Sequence, residues 1–127
     1  MTDHSIMIVD DDADVRSTVA DALEEEGYAV VTAANGREAL KQLLDGARPS
    51  LILLDMMMPE MNGWAFRAEQ QQRADLAAIP IIIFTAYGVP RDTAAQVGAQ
   101  GYLRKPVRLD DLLAAVGRIG VRRNGPP

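Results

Sequence analysis

The sequence contains no cysteine, so no disulfide framework and no thiolate metal centre can be built from it. A single histidine, His4, cannot assemble a zinc site alone and has no sequence neighbour to pair with; it reads as an exposed terminal residue. Lysine is nearly as scarce: Lys41 falls mid-helix on a face expected to be solvated, which leaves Lys105 as the one with a position to explain. No apolar run approaches the ~20 residues that span a bilayer, and the first residues do not form a signal peptide. Neither a membrane role nor secretion is expected, and the cytoplasm is the default location. Basic charge is also short, 13 residues against 18 acidic ones for a net charge of -5. That balance argues against direct DNA binding, which depends on neutralising phosphates.

What is present is a set of short, wholly apolar runs that end at polar residues. Leu51 to Leu54 is followed by Asp55, Ile6 to Val9 by Asp10, Asp11 and Asp12, and Ile81 to Phe84 by Thr85. Unbroken runs of this length are the pattern of strands buried on both faces of a parallel sheet. Tyr28 to Ala33 and Gly101 to Arg104 are less apolar and suit the sheet edges. Between the runs lie helical signals. Asp12 is placed to cap a first helix carrying Val15, Val19, Ala22 and Leu23, which Gly27 ends. Asn35 and Glu38 form a capping box ahead of Ala39, Leu40, Leu43 and Leu44. A third helix follows Gly63 with Trp64 and Phe66 apolar and a polar second half from Glu69 to Arg73. Pro90 suits the first turn of a short fourth helix ending near Gly98, and a fifth spans about Leu109 to Arg118 with Asp110 and Asp111 near its positive end.

Five strands alternating with five helices imply an α/β, flavodoxin-like doubly wound (βα)5 sandwich with a parallel sheet of order 2-1-3-4-5, which puts the most apolar strands inside. At 127 residues this is one domain, expected over residues 1–120, with 121–127 as a flexible tail in which Arg122 and Arg123 are solvated. The carboxyl ends of the strands would then gather Asp10, Asp11, Asp55, Thr85 and Lys105 on one edge, the edge where open α/β sheets bind ligands. Carboxylates crowded together repel, and a cation resolves the conflict. Oxygen-only ligands point to Mg2+, which takes a few carboxylates plus phosphate oxygens. One carboxylate would remain free to attack phosphorus and form an acyl phosphate, with Thr85 donating to a phosphoryl oxygen and Lys105 supplying positive charge.

These landmarks, Val9-Asp10-Asp11-Asp12, Asp55-Met56-Met57-Met58-Pro59-Glu60-Met61-Asn62-Gly63, Thr85-Ala86 and Lys105-Pro106, resemble those of the receiver domain of two-component response regulators, in order and across nearly the whole chain. The resemblance implies that Asp55 is the phosphoacceptor, taking its phosphoryl group from a sensor histidine kinase or histidine phosphotransfer protein. It further implies that Asp11 ligates magnesium directly, that Asp10 assists through water, that the backbone carbonyl of Met57 is a ligand, and that the Lys105-Pro106 bond is cis. In the family's switch Thr85 moves toward the phosphoryl group and the aromatic side chain on the fifth strand, here Tyr102, follows. The output is then a downstream protein target contacting the helix 4, strand 5 and helix 5 face. Where the family often has Phe this sequence has Val107, and Gln100-Gly101 lacks the acidic pair that helps DNA-binding members dimerise. Bulky Met57 and Tyr87 flank the site, so a long-lived phosphoryl state is expected.

The same residues admit other readings. Met56, Met57 and Met58 read as gap-filling side chains and Trp64 as packing. A magnesium-dependent aspartyl phosphohydrolase would want Thr or Val at Asp14 and a cap domain this length cannot hold. A flavin-binding module needs a phosphate-cradling loop, and Asp10 to Asp14 is the reverse of one. A degenerate receiver acting without phosphorylation is the remaining alternative. The Met start and short tail favour a stand-alone regulator or phosphorelay shuttle over a receiver excised from a longer chain.

Overall fold

In the computed structural model, residues 5–86 and 88–123 are described; the expectations for His4, Tyr87 and residues 124–127 lie outside them. The elements run β1 (Ser5–Val9), α1 (Ala13–Glu25), β2 (Ala29–Ala33), α2 (Gly36–Leu44), β3 (Leu51–Leu54), α3 (Gly63–Gln71), α4 (Ala74–Ala77), β4 (Ile81–Thr85), α5 (Thr93–Val97), β5 (Gly101–Arg104) and α6 (Leu109–Ile119). One five-stranded parallel sheet has the order β2-β1-β3-β4-β5, as the apolar content of the strands required. β1, β3 and β4 are buried throughout, whereas the edge strands β2 and β5 are mostly half-buried.

Side chains alternate across a strand, so each central strand feeds both faces of the sheet. Met7, Val9, Ile52, Leu54, Ile81 and Ile83 pack with Ala39, Leu43 and Phe66 on one side. Ile6, Ile8, Leu51, Leu53, Ile82 and Phe84 pack with Val19, Leu23, Leu112 and Val116 on the other. These two layers leave no wet face on the sheet, which is why the strands could be wholly apolar. Among the described residues no helix is long and apolar enough to cross a membrane.

Several expectations need correction. Six helices are found rather than five, because residues after α3 fold into the single turn α4 and bury Leu76. A four-residue helix is too short to show a 3.6-residue period. In the polar stretch from Glu69 to Arg73, Gln71, Gln72 and Arg73 are exposed, but Gln70 is buried, as is Arg67 one turn earlier. Arg67 donates from Nε to the Val97 carbonyl at 2.8 Å, from Nη1 to Gln70 Oε1 at 2.9 Å and from Nη2 to the Gly98 carbonyl at 3.2 Å. Gln70 Nε2 donates in turn to the carbonyls of Leu76 and Ile79. Both of these buried side chains therefore have partners, which is what makes their burial tolerable.

Leu44 is 50% exposed, so it does not lie on the inner face of α2 that its spacing implied. Pro90 precedes the helix instead of opening it; the chain turns through Arg91 and Asp92 first, and α5 begins at Thr93. Asn35 Oδ1 accepts from the Glu38 amide at 2.8 Å, but the return bond from Glu38 reaches the Ala34 amide rather than that of Asn35. At the far end Val121 is buried against the second core layer, and Arg123 lies 3.8 Å from Glu26 and over the Tyr28 ring. The chain is thus still packed where a tail was expected to start.

Candidate functional site

Register places the site. Val9 of β1 pairs with Leu54 of β3, so the next residues, Asp10 and Asp55, leave the sheet side by side; the Asp55 amide still donates to the Val9 carbonyl at 2.9 Å. Leu54 pairs with Ile83, which carries Thr85 of β4 just past the same rim. Thr85 pairs with Arg104 of β5, and the Lys105 amide closes the ladder on the Thr85 carbonyl at 2.8 Å. The Lys105-Pro106 peptide bond is cis.

The strand ends bring together most of the residues the sequence pointed to. Carboxylate oxygens of Asp10, Asp11 and Asp55 lie within 4.8 Å of one another. Asp10 is fully buried and Asp55 nearly so, whereas Asp11 is exposed at the mouth. Asp55 Oδ1 accepts from the Met57 amide at 3.1 Å and from the Thr85 hydroxyl at 3.2 Å. Lys105 Nζ donates to Asp55 Oδ2 at 3.4 Å and makes its closer ion pair with Asp10 Oδ2. The ammonium therefore bridges two carboxylates rather than facing Asp55 alone. Met57 is 61% exposed while Met56, beneath the loop, is fully buried.

Burial is the largest influence on Asp55 and pushes its carboxyl above the usual carboxylate range. The Met57 amide and Lys105 pull the other way, the Asp10 charge adds to the rise, and Thr85 offsets a little of it. Burial likewise opposes the Lys105 ammonium, but the hydrogen bond to Asp10 and the charges of Asp55 and Asp10 outweigh it and raise Lys105 above its ordinary value. The donor set fits a hard divalent ion: oxygen only, acidic, with buried and exposed members on one edge.

Two further residues support the site, of which Arg16 lies outside the landmark motifs and Gly63 closes one of them. Arg16 on α1 donates to the Asp10 backbone carbonyl at 2.7 Å and fixes the turn after β1; its signal in sequence is only a basic residue one turn into a helix. Gly63 lets the loop from Asp55 fold back on itself, since a Cβ there would stand 2.4 Å from Met56 Sδ and 2.8 Å from Met56 Cα. Asp12 caps α1 as expected, accepting from the Asp14 and Val15 amides, and the Asp12 amide itself donates to Asp10 Oδ1. Tyr102 is not within the acidic cluster. Its hydroxyl donates to the Val89 carbonyl in the segment after Thr85, and the Arg91 guanidinium lies 5.0 Å from its ring centre.

Comparison with known proteins agrees with this arrangement. The profile of the response regulator receiver domain matches residues 6–117. The phosphate regulon transcriptional regulatory protein PhoB of Pseudomonas aeruginosa is 38% identical over 129 residues, covering 99% of this chain and 55% of that protein. The chain spans about half the length of the curated relatives it matches. Among solved structures, the signal receiver domain of a signal transduction histidine kinase from Syntrophus aciditrophicus aligns with a TM-score of 0.81 at 35% identity, over 97% of this chain and 96% of that one. The chemotaxis protein CheY4 of Vibrio cholerae aligns with a TM-score of 0.82 at 31% identity, over 94% and 99%. A profile match over nearly the whole sheet, with the same strand order beneath it, makes this chain a member of the response regulator receiver domain family.

Proposed function

We propose that the chain is a phosphoacceptor switch in which Asp55 takes a phosphoryl group from a phosphohistidine on a sensor histidine kinase or histidine phosphotransfer protein. The observation that carries this reading is the convergence of Asp10, Asp11 and Asp55 within 4.8 Å, with Lys105 bridging two of them. In the transfer an Asp55 carboxylate oxygen bonds to phosphorus as the phosphorus–nitrogen bond of the donor breaks, its electron pair staying with the imidazole nitrogen. Asp55 must be ionised to attack. Against the cost of its burial, the Met57 amide, Lys105 and the Thr85 hydroxyl favour the charged form.

Asp10, Asp11, Asp55 and the backbone carbonyl of Met57 would hold Mg2+, which when bound neutralises charge on the phosphoryl oxygens. Once Asp55 carries the group, Lys105 pairs with a phosphoryl oxygen and Thr85 donates to another. Thr85 must leave its bond to Asp55 Oδ1 to do so, and Val89 moves with it. Tyr102 is tied to Val89 through its hydroxyl, so its position reports the change to the face made by α5, β5 and α6. A downstream protein reads that face without DNA contact, and the chain works in the cytoplasm with its donor. Met57 screens the mouth of the site from water, so the acyl phosphate should persist beyond seconds in the purified protein.

The test is intact mass after incubation with acetyl phosphate and magnesium. Wild type should gain one phosphoryl group, and Asp55→Asn should gain none. No gain in wild type would point instead to a degenerate receiver.

A further inference from the structure

Charge is divided along this chain. Up to residue 75 there are six basic and fifteen acidic residues; after it there are seven basic and three acidic. The fold converts that division into two sides, because the later residues build β4, α5, β5 and α6, including one edge of the sheet. On that side a cleft of about 400 Å³ is lined by Arg91, Tyr102, Arg104, Arg108, Asp111 and Arg118, among others. All four arginines are exposed. Arg91, Arg108 and Arg118 have no carboxylate within 4.0 Å among the described residues, although Arg91 stacks on Tyr102.

From this we infer that the cleft between β5 and α6 binds a short acidic segment of a partner protein, with Arg108 and Arg118 as its anchors. The inference rests on the reading of this face as the one a downstream protein contacts, and it adds the chemistry of that partner. Guanidinium groups match carboxylates in planar, paired geometry, and arginine and tyrosine are enriched where interfaces carry their binding energy. Nucleic acid suits the cleft poorly. Duplex DNA carries about one charge per 1.7 Å, so a strand crossing these arginines would also meet Asp111 and the acidic remainder of the molecule. A second copy could offer the acid-rich surface of α1, where Asp14, Asp21, Glu24 and Glu25 are exposed. Such head-to-tail contact would build rings or open filaments rather than a two-fold dimer.

The experiment uses fluorescence anisotropy of a short labelled amphipathic peptide with glutamates on its polar face, alongside counterparts carrying glutamine or lysine there, and a labelled DNA duplex. The full chain should bind the glutamate peptide, more weakly as salt rises, and neither counterpart. Reversing Arg108→Glu and Arg118→Glu together should weaken that binding by roughly tenfold or more, the sum of two exposed pairs turned from attraction to repulsion. Arg37→Glu, exposed on α2, should leave it unchanged. Absent binding of the glutamate peptide, equal binding by the double variant, tighter binding of the duplex, or self-association of the wild type through this face would overturn the inference. Acetyl phosphate labelling of the wild type, set beside its peptide binding, separates the two proposals. If Asp55 is labelled but the peptide does not bind, the partner chemistry is wrong; if the peptide binds but no label appears, the switch is wrong.

Discussion

Replacing Lys105 by methionine tests the electrostatics of the site most severely. The substitution keeps a four-atom apolar stem and loses the ammonium, which lies 5.3 Å from the centre of the Phe84 ring. It removes the one cation that bridges Asp10, fully buried, and Asp55, 3% exposed. Deleting one partner of a buried ion pair costs about 3–5 kcal/mol, because the remaining charge stays inside without compensation. Lys105 is 18% exposed at its side chain, so solvent screening places the loss near the lower end, roughly 3 kcal/mol. For a domain of this size that is a fall in Tm of about 10–15 °C. The deficit should also depend on pH in a defined direction. Asp55 already has a folded-state pKa above its unfolded value, and losing Lys105 removes one of the influences that lower it. A group shifted upward stabilises the fold below its unfolded pKa and loses that contribution as pH rises through the folded one. Thermal melts in EDTA should therefore show wild type and Lys105→Met converging as pH falls toward the carboxylate range and separating toward neutrality. Magnesium should narrow the neutral-pH gap. A deficit that is the same at every pH and indifferent to magnesium would mean that Lys105 contributes packing alone, and the electrostatic account would be wrong.

Asp55→Asn should raise stability in metal-free buffer at neutral pH, by about 1 kcal/mol or more, since replacing a poorly compensated buried charge by a neutral isostere is often stabilising; denaturant melts would check it, and a loss of stability would count against the raised carboxyl. Thr85→Ala removes a hydrogen bond worth about 1 kcal/mol and should slow labelling by acetyl phosphate while leaving the fold intact by circular dichroism. Arg67→Ala leaves the Val97 and Gly98 carbonyls and Gln70 Oε1 without their donors, so hydrogen exchange should accelerate in α5 and stability should fall by about 2–4 kcal/mol. The phosphoryl group on purified protein should have a half-life well beyond seconds, and Met57→Gly should shorten it when followed by mass spectrometry.

The sheet could be read from sequence because burial on both faces demands uninterrupted apolar residues, and Ile6 to Val9, Leu51 to Leu54 and Ile81 to Phe84 have no other economical use. Strand order followed from the same contrast, and with it the adjacency of Asp10, Asp55, Thr85 and Lys105, all within a residue of a strand end. The short-range pattern was silent wherever partners are distant. Gln70 is buried because carbonyls at Leu76 and Ile79 curl back over it, and Arg67 because α5 ends beside it 30 residues later. Local pattern alone carries no sign that either is buried. Leu44 failed in the opposite sense: helical spacing nominates an apolar residue for the core, but packing geometry decides whether the core reaches it. The bridging role of Lys105 was half legible, since its position implied a positive charge at the site but not that Asp10 would hold it more closely than Asp55.

The central claim is that one particular carboxylate of the acidic edge accepts phosphorus, and reductive trapping addresses it most directly. Treating the acetyl-phosphate-labelled chain with borohydride converts an acyl phosphate to an alcohol at the modified residue, which peptide mass mapping then locates. The account predicts homoserine at position 55 alone, formed only when magnesium was present during labelling. Reduction at Asp10 or Asp11, or at no residue of a chain that had gained phosphoryl mass, would contradict it.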